Sequence, residues 1–421
     1  MKNIIKIDDN IIVDFGENKK SMNAKIIFLL LVLTGCQSGN QESGRSSELP
    51  VIDISKTYPE KTINLNEITE KEYIKLETTD DVLLSEYSII FHVSEKYILL
   101  FDGRRNDIFI FSREGKIITH FNRKGQGGEE YIGISKGSVV FDEKNEEIYV
   151  FARDRILIYS LNGEFKRKFT PPDVEMIEKT HIFDDETLLV YYGYRQYIDK
   201  SLEKKIEYPY KLISKTDGRI ITELDIKLPA RYSNYISMRV ELSDRQMGYT
   251  SDMIPIFHNM QWGKDYVIAD RSSDTIYKLQ PDRELTPILV RKPSVHSSDP
   301  RTIWTSYFAT DKFIVLQTTN LDLKALEKGI KSPPVTLLHD FETGETNRVL
   351  FHDEAFYWED WLPYPVMVGS HVMPKNTTVK LVQASFLKYA YQRNGLRGEL
   401  KDLASTLDED DNPVVVIYTF K

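Results

Sequence analysis

The chain holds one cysteine in 421 residues, so no disulfide can form within it, and its stability must come from buried area and backbone hydrogen bonding. It also lacks a long apolar run. The longest, IIFLLLVL at 26–33, falls well short of the roughly 20 residues that a membrane-spanning helix needs. A basic surplus is missing too: 55 Lys and Arg stand against 64 Asp and Glu, for a net charge of −9. No Lys/Arg cluster is interleaved with aromatics, which argues against nucleic acid as a partner. The eight histidines never fall at H-x-x-x-H spacing or beside the cysteine, so no zinc motif is present, although a site assembled across distant strands would leave no such trace.

The lone cysteine is itself the most informative residue present. Cys36 closes Leu33-Thr34-Gly35-Cys36 at the end of the apolar run, the pattern of a lipobox. Cleavage before Cys36 makes it the new N-terminus, and acyl chains on it anchor the protein at about 0.8 kcal/mol per buried CH2. Beyond it, QSGNQESGRSSELP is polar and rich in Gly and Ser, too poor in apolar area to order itself. Residues 1–21 carry Asp8, Asp9, Asp14 and Glu17 where a leader should be basic, and Met22 makes the better start. The expected organisation is therefore an upstream extension at 1–21, a lipoprotein signal peptide at 22–35, a tether at 36–50 and one folded body at 51–421. Gln37-Ser38, with no aspartate after the cysteine, points to an outer-membrane address, on the periplasm-facing side.

The folded body reads as all-β. Short β-branched and aromatic runs are separated by Gly, Asn and Asp turns, and the runs repeat. YILLFDGRRNDIFIFSREGKIITHF (97–121) and EIYVFARDRILIYSLNGEFKRKF (147–169) share one order of strands and turns, with weaker copies at 210–224, at 265–289 and in KFIVLQTTN (312–320) with its partner at 335–350. Their second turns fall at Gly115, Gly163, Gly218, Asp282 and Gly344. Several strands per 50–60-residue unit predict blades of a propeller, because one small sheet can bury its faces only against its neighbours. Joining the N-terminal TINLNEITEKEYIKLE (62–77) to the C-terminal PVVVIYTFK (413–421) adds a sixth blade made from both chain ends. The prediction is a six-bladed β-propeller. Residues 383–412 have apolar positions at helical spacing and predict two short helices broken near Asn394-Gly395.

The lipobox, the blade motif Phe101-Asp102 … IFIFSREGKI with its turn KGQGGEEY (124–131), and the ending LDEDDNPVVVIYTFK together resemble the six-bladed propeller lipoproteins of Gram-negative gut anaerobes, relatives of NHL-type propellers. The turn departs from the usual GQGPGEY form, with Gly128 and Glu129 in place of Pro-Gly, so the loop is expected to persist with altered geometry. The resemblance implies a fold and an extracytoplasmic address. Most members have no assigned activity.

Catalytic strings are weak. GISKG (133–137) matches G-x-S-x-G but precedes a strand instead of forming a strand-to-helix elbow, so Ser135 is read as part of a blade-to-blade loop. In DEDDN (408–412) the sixth position of a calcium loop would be a Val and the twelfth Thr419, which leaves a solvated turn as the reading. The candidate ligand-binding residues are Arg104, Arg105, Gln126, Glu130, Tyr131 and Arg271, which the repeat places on loops at blade edges. Guanidinium groups there suit carboxylate or phosphate, because they donate paired hydrogen bonds in a plane. The aromatic cluster at 356–361 offers a sugar platform, although such clusters usually pack into cores. No catalytic residue and no required cofactor are predicted. The expected function is a membrane-anchored binding or scaffold module for an envelope protein, peptide or glycan. The alternative is a lactonase-like hydrolase or a lyase with a divalent cation, calcium for example, at the central channel.

Overall fold

The computed structural model describes residues 49–134, 139–152, 154–193, 206–232, 235–243, 246–253, 259–297, 299–328, 330, 332–356 and 374–421. Cys36, the signal peptide, the tether up to residue 48, Ser135 and most of the 356–361 cluster lie outside them.

Each repeat folds into an antiparallel sheet whose strands follow chain order. Blade 1 is Ser88–Val93, Tyr97–Asp102, Ile108–Ser112 and Ile117–Phe121. Blade 2 is Val139–Asp142, Glu147–Ala152, Arg155–Ser160 and Phe165–Phe169. Blade 3 is Ile177–Ile182, Thr187–Tyr192, Tyr210–Ser214 and Ile220–Glu223. Blades 4 and 5 begin with Asn259–Trp262 and Arg301–Ala309 and end with Leu285–Lys292 and Thr346–His352. The apolar faces pack blade against blade, with Leu99, Ile108 and Ile110 of blade 1 on Val139, Ile148 and Val150 of blade 2, and so on around the ring. First strands such as Ser88–Val93, Ile177–Ile182 and Arg301–Ala309 lie ahead of the repeated units read from the sequence.

Blade 6 is built from both chain ends. Val414–Phe420 pairs with Thr377–Val382 on one side and with Thr69–Lys75 on the other, running antiparallel to both. Thr69–Lys75 then leads to blade 1, so covalent continuity crosses the seam that the ring must close. The predicted closing segment at 62–77 needs one correction. Glu60–Asn64 lies instead on the outer edge of blade 5, parallel to Thr346–His352, and Val51–Asp53 does the same on blade 4. A one-turn helix, Leu65–Ile68, capped by the Asn64 side chain, redirects the chain between them and blade 6. The N-terminal segment thus runs across three blades.

The second turns carry left-handed residues at Gly115, Gly163, Gly218 and Gly344, with φ between 72° and 81°. In blade 4 that position is Arg283 (φ 72°), one residue past the predicted Asp282. At Gly163 a Cβ would lie 2.4 Å from Cγ of Phe121, the last residue of blade 1. Glycine there permits close approach of adjacent blades as well as the backbone conformation.

The two predicted helices are Ala384–Gln392 and Gly398–Ser405, with Asn394 left-handed at the break (φ 55°). Leu387, Ala390, Leu400 and Ala404 pack with Val414 and Val416 in the core that blades 4 to 6 share. The acidic run at 408–412 is exposed at Asp408, Glu409 and Asp410, but Asn412 is buried and takes part in ring closure. Among the described residues no helix is long and apolar enough to cross a membrane.

Candidate functional site

Strand direction puts the connections between second and third strands on the same end of the ring as the connections between blades. The helices, the loop at 102–107 and the loop at 270–274 all lie on this end. At the seam between blades 3 and 4 this loop face carries an unusual concentration of buried charge.

Blade 4's second strand ends in Ala269-Asp270-Arg271-Ser272, the counterpart of Phe101-Asp102-Gly103 in blade 1. Asp270 accepts the hydroxyl of Tyr210 (2.9 Å) and the backbone N–H of Ser272 (2.7 Å). That turn drives Arg271 into the seam at 1% exposure. Its Nη2 stands 3.8 Å from Oε2 of Glu178, on the first strand of blade 3, while its Nε and Nη1 have no hydrogen-bond partner. Gly193 makes room for Glu178, since a Cβ there would lie 1.9 Å from the glutamate Cδ. Arg231 donates from Nη2 to the Tyr191 hydroxyl (3.2 Å) and to the Tyr192 carbonyl. The Tyr191 and Tyr210 rings lie 4.9 Å apart. From blade 5, Trp304 donates its indole N–H to the carbonyl of Ser273 (3.0 Å) and pins the loop.

Burial shapes the ionisation of this cluster. It pulls the Lys179 ammonium down to about 8 against the neighbouring Glu178, and it lowers His181 to about 3, with Lys179 adding to the effect. Burial and then Asp270 push Tyr191 up to about 12, and the same two causes raise Tyr210 well above its ordinary value. Both phenols are therefore neutral. Burial works against the charge on Arg271, but Tyr191, Asp270 and Glu178 outweigh it and hold the guanidinium protonated.

The candidates read from the sequence do not form one ring. Arg271 is in this seam, and the other five are on the loop face of blade 1 and its connection to blade 2, across the ring. Arg104 is exposed and stacks 3.8 Å over the Tyr87 ring. Arg105 lies 3.1 Å from buried Asp102, whose other oxygen accepts the N–H groups of Arg104 and Arg105. Tyr131 is fully buried: its hydroxyl accepts from the Arg123 N–H and donates to the Asn106 carbonyl, and burial raises it to about 12. It packs in the core between blades 1 and 2. Glu130 accepts the Gly127 N–H (2.8 Å) and holds the predicted turn closed, and Gln126 is exposed on it. Beside this turn lies an open cleft of about 820 Å³, lined by Arg123, Gly127–Glu130, Glu164, Phe165 and Lys168.

Glu178, Arg231, Tyr191, Tyr210 and Asp270 escaped the sequence reading because they belong to no motif and meet only through the fold. Asp270 alone left a trace, in its alignment with Asp102. Among the described residues no three His, Cys, Asp or Glu side chains converge as a metal site. Trp304 is buried, and Trp262 stacks on Phe341 with ring centroids 5.9 Å apart, so both serve packing.

Six four-stranded or modified blades closed by a strand from each chain end define a six-bladed β-propeller. The chain belongs to the family described as domain of unknown function DUF4934, whose model matches residues 49–419. A solved Bacteroides fragilis protein whose name describes it as exported is similar in structure, with 16% identity, TM-score 0.58, and coverage of 88% of this chain and 99% of that one. A DUF4221 member from Bacteroides vulgatus matches at 9% identity and TM-score 0.44, covering 84% of this chain and 97% of that one. No curated protein matches the chain.

Proposed function

We propose that this protein is an exported, lipid-anchored binding module of the cell envelope that presents the loop face of a rigid ring to a ligand. The anchor is Cys36, and the address is the periplasm-facing side of the outer membrane. The observation that carries the binding role is the blade 3–blade 4 seam, where a buried arginine keeps two nitrogens without partners at the loop-bearing end of the ring. The lipobox and the exported name of the Bacteroides fragilis neighbour support the location. The ring itself is well suited to the role, because neighbouring blades hold each loop at both ends.

The test pairs location with binding. Palmitate labelling and membrane fractionation should both be lost in Cys36→Ala. Thermal-shift titration of the detergent-solubilised full chain with glycan, peptide and calcium panels should give a saturable rise with a ligand that is recovered unchanged, because a native-state ligand stabilises by RT ln(1 + [L]/Kd). Turnover of a panel ligand would replace the binding module with an enzyme.

A further inference from the structure

We propose that the open cleft between the turn at 123–131 and the outer strand of blade 2 is a binding site for a neutral oligosaccharide. The proposal rests on the reading of the chain as a binding module and adds a site to it, apart from the blade 3–blade 4 seam.

The cleft measures about 820 Å³, within the roughly 300–1,000 Å³ of small-ligand sites. Its turn is held from several sides. The Gly125 N–H donates to the Tyr131 carbonyl (3.0 Å), and the Gly127 carbonyl accepts the Glu130 N–H (3.2 Å). The Gly128 carbonyl accepts from Lys168 Nζ (2.8 Å), and the Glu129 carbonyl accepts the Tyr159 hydroxyl (2.8 Å). Arg123 donates from Nε to the Gly163 carbonyl (2.8 Å). A wall fixed in this way loses little entropy when a ligand arrives.

These bonds occupy the carbonyls of the turn and leave other groups open. The backbone N–H groups of Gly128 and Glu129 and the terminal nitrogens of Arg123 meet no acceptor among the described residues, and the carboxylates of Glu129 and Glu164 meet no donor. Phe165, half-buried and edge-on to the Tyr159 ring at 6.2 Å, lines the same cleft with an apolar face. Open donors and open acceptors around one aromatic ring suit a sugar: each hydroxyl donates and accepts at once, and the C–H face of the sugar ring covers the phenyl group. A net anion would face Glu129, Glu130 and Glu164, and a net cation would face Arg123 and Lys168. A peptide that pairs its backbone with the turn needs carbonyl acceptors as well as N–H donors, and those carbonyls are taken.

The probes are maltotriose, cellotriose and triacetylchitotriose, with acetyl-trialanine amide and inorganic phosphate beside them, each titrated into the detergent-solubilised full chain by calorimetry. Saturable binding of at least one trisaccharide is the expected result. Gly128→Leu then blocks the cleft: a Cβ at Gly128 meets only Lys168 Nζ, at 3.3 Å, whereas at Gly125 it would lie 1.9 Å from Glu130 Oε2. The variant should abolish trisaccharide binding while the melting temperature of the free protein stays with the parent's. Glu164→Ala removes an exposed carboxylate that has no partner to lose, and it should weaken the binding by about tenfold. If Gly128→Leu does not fold, Glu164→Ala decides. No response to any trisaccharide, or equal binding by parent and variant, would overturn the proposal. Binding of the peptide or of phosphate alone would also overturn it and leave the binding module standing.

Discussion

At the seam between blades 6 and 1, Asn412 is 2% exposed and fully engaged. It donates from its backbone to Thr78 Oγ1 (2.8 Å) and from Nδ2 to the carbonyls of Glu77 (2.8 Å) and Val82 (2.7 Å), and it accepts the N–H of Leu84 (2.7 Å). Beside it Lys75 meets Asp411 at 2.8 Å. On the far side of the ring, at the blade 3–blade 4 seam, Arg271 is buried just as deeply and two of its nitrogens have no partner. Both seams are closed by hydrophobic packing of the same kind. Their polar groups differ in satisfaction: the Asn412 set is fully hydrogen-bonded across the ring closure, and Arg271 leaves Nε and Nη1 without partners.

Substituting Asn412 should sharpen the comparison most. Asn412→Leu keeps the approximate size but strands two buried carbonyls and one N–H, and we expect a loss of about 3 kcal/mol or more in urea unfolding. An unchanged midpoint would show that the closure seam does not depend on this residue. Next come the turn glycines of the intervening seams. Gly163→Ala places a methyl against Phe121 in a left-handed turn, whereas Gly344 has the same backbone with nothing within 4 Å of a Cβ. Expected costs are about 2 kcal/mol for Gly163→Ala and about 1 kcal/mol for Gly344→Ala. Equal losses would mean that backbone conformation alone sets the requirement for glycine.

A paired buried charge gives the third test. Burial pushes the Glu147 carboxyl up, but hydrogen bonds from Arg167 and Lys166 outweigh it and hold the group down at about 2. A depressed folded value means that the stabilisation is present above about pH 4.5 and is lost as pH falls from there toward 2. Glu147→Gln should therefore be less stable than the parent at neutral pH, with the gap closing across that acid window in pH-dependent denaturation. A gap that stays constant with pH would contradict the pairing.

The fold was largely legible in the sequence because blades advertise themselves through strand–turn–strand repeats with glycine at a fixed place. What the sequence concealed follows from contacts between distant segments. Nothing in EKTIN indicates that Glu60–Asn64 adds to blade 5 in parallel, since a short polar strand is stabilised there by the edge it meets. Asn412 read as part of an acidic turn, because its four partners are more than 300 residues away in the chain. Arg271 was visible as a loop arginine, but its burial depends on Glu178, Tyr191 and Tyr210 from a neighbouring blade. Tyr131 was read as a ligand contact because a loop tyrosine and a core tyrosine look alike until the loop is folded back on the ring.

The most direct test of the contrast between the two seams is the urea stability of Arg271→Met without any ligand. If Arg271 is held for a ligand, removing it deletes a buried charge that the ring does not need, and stability should stay within about 1 kcal/mol of the parent. A loss of about 3–5 kcal/mol, the range for breaking a buried ion pair, would show instead that Arg271 holds blades 3 and 4 together.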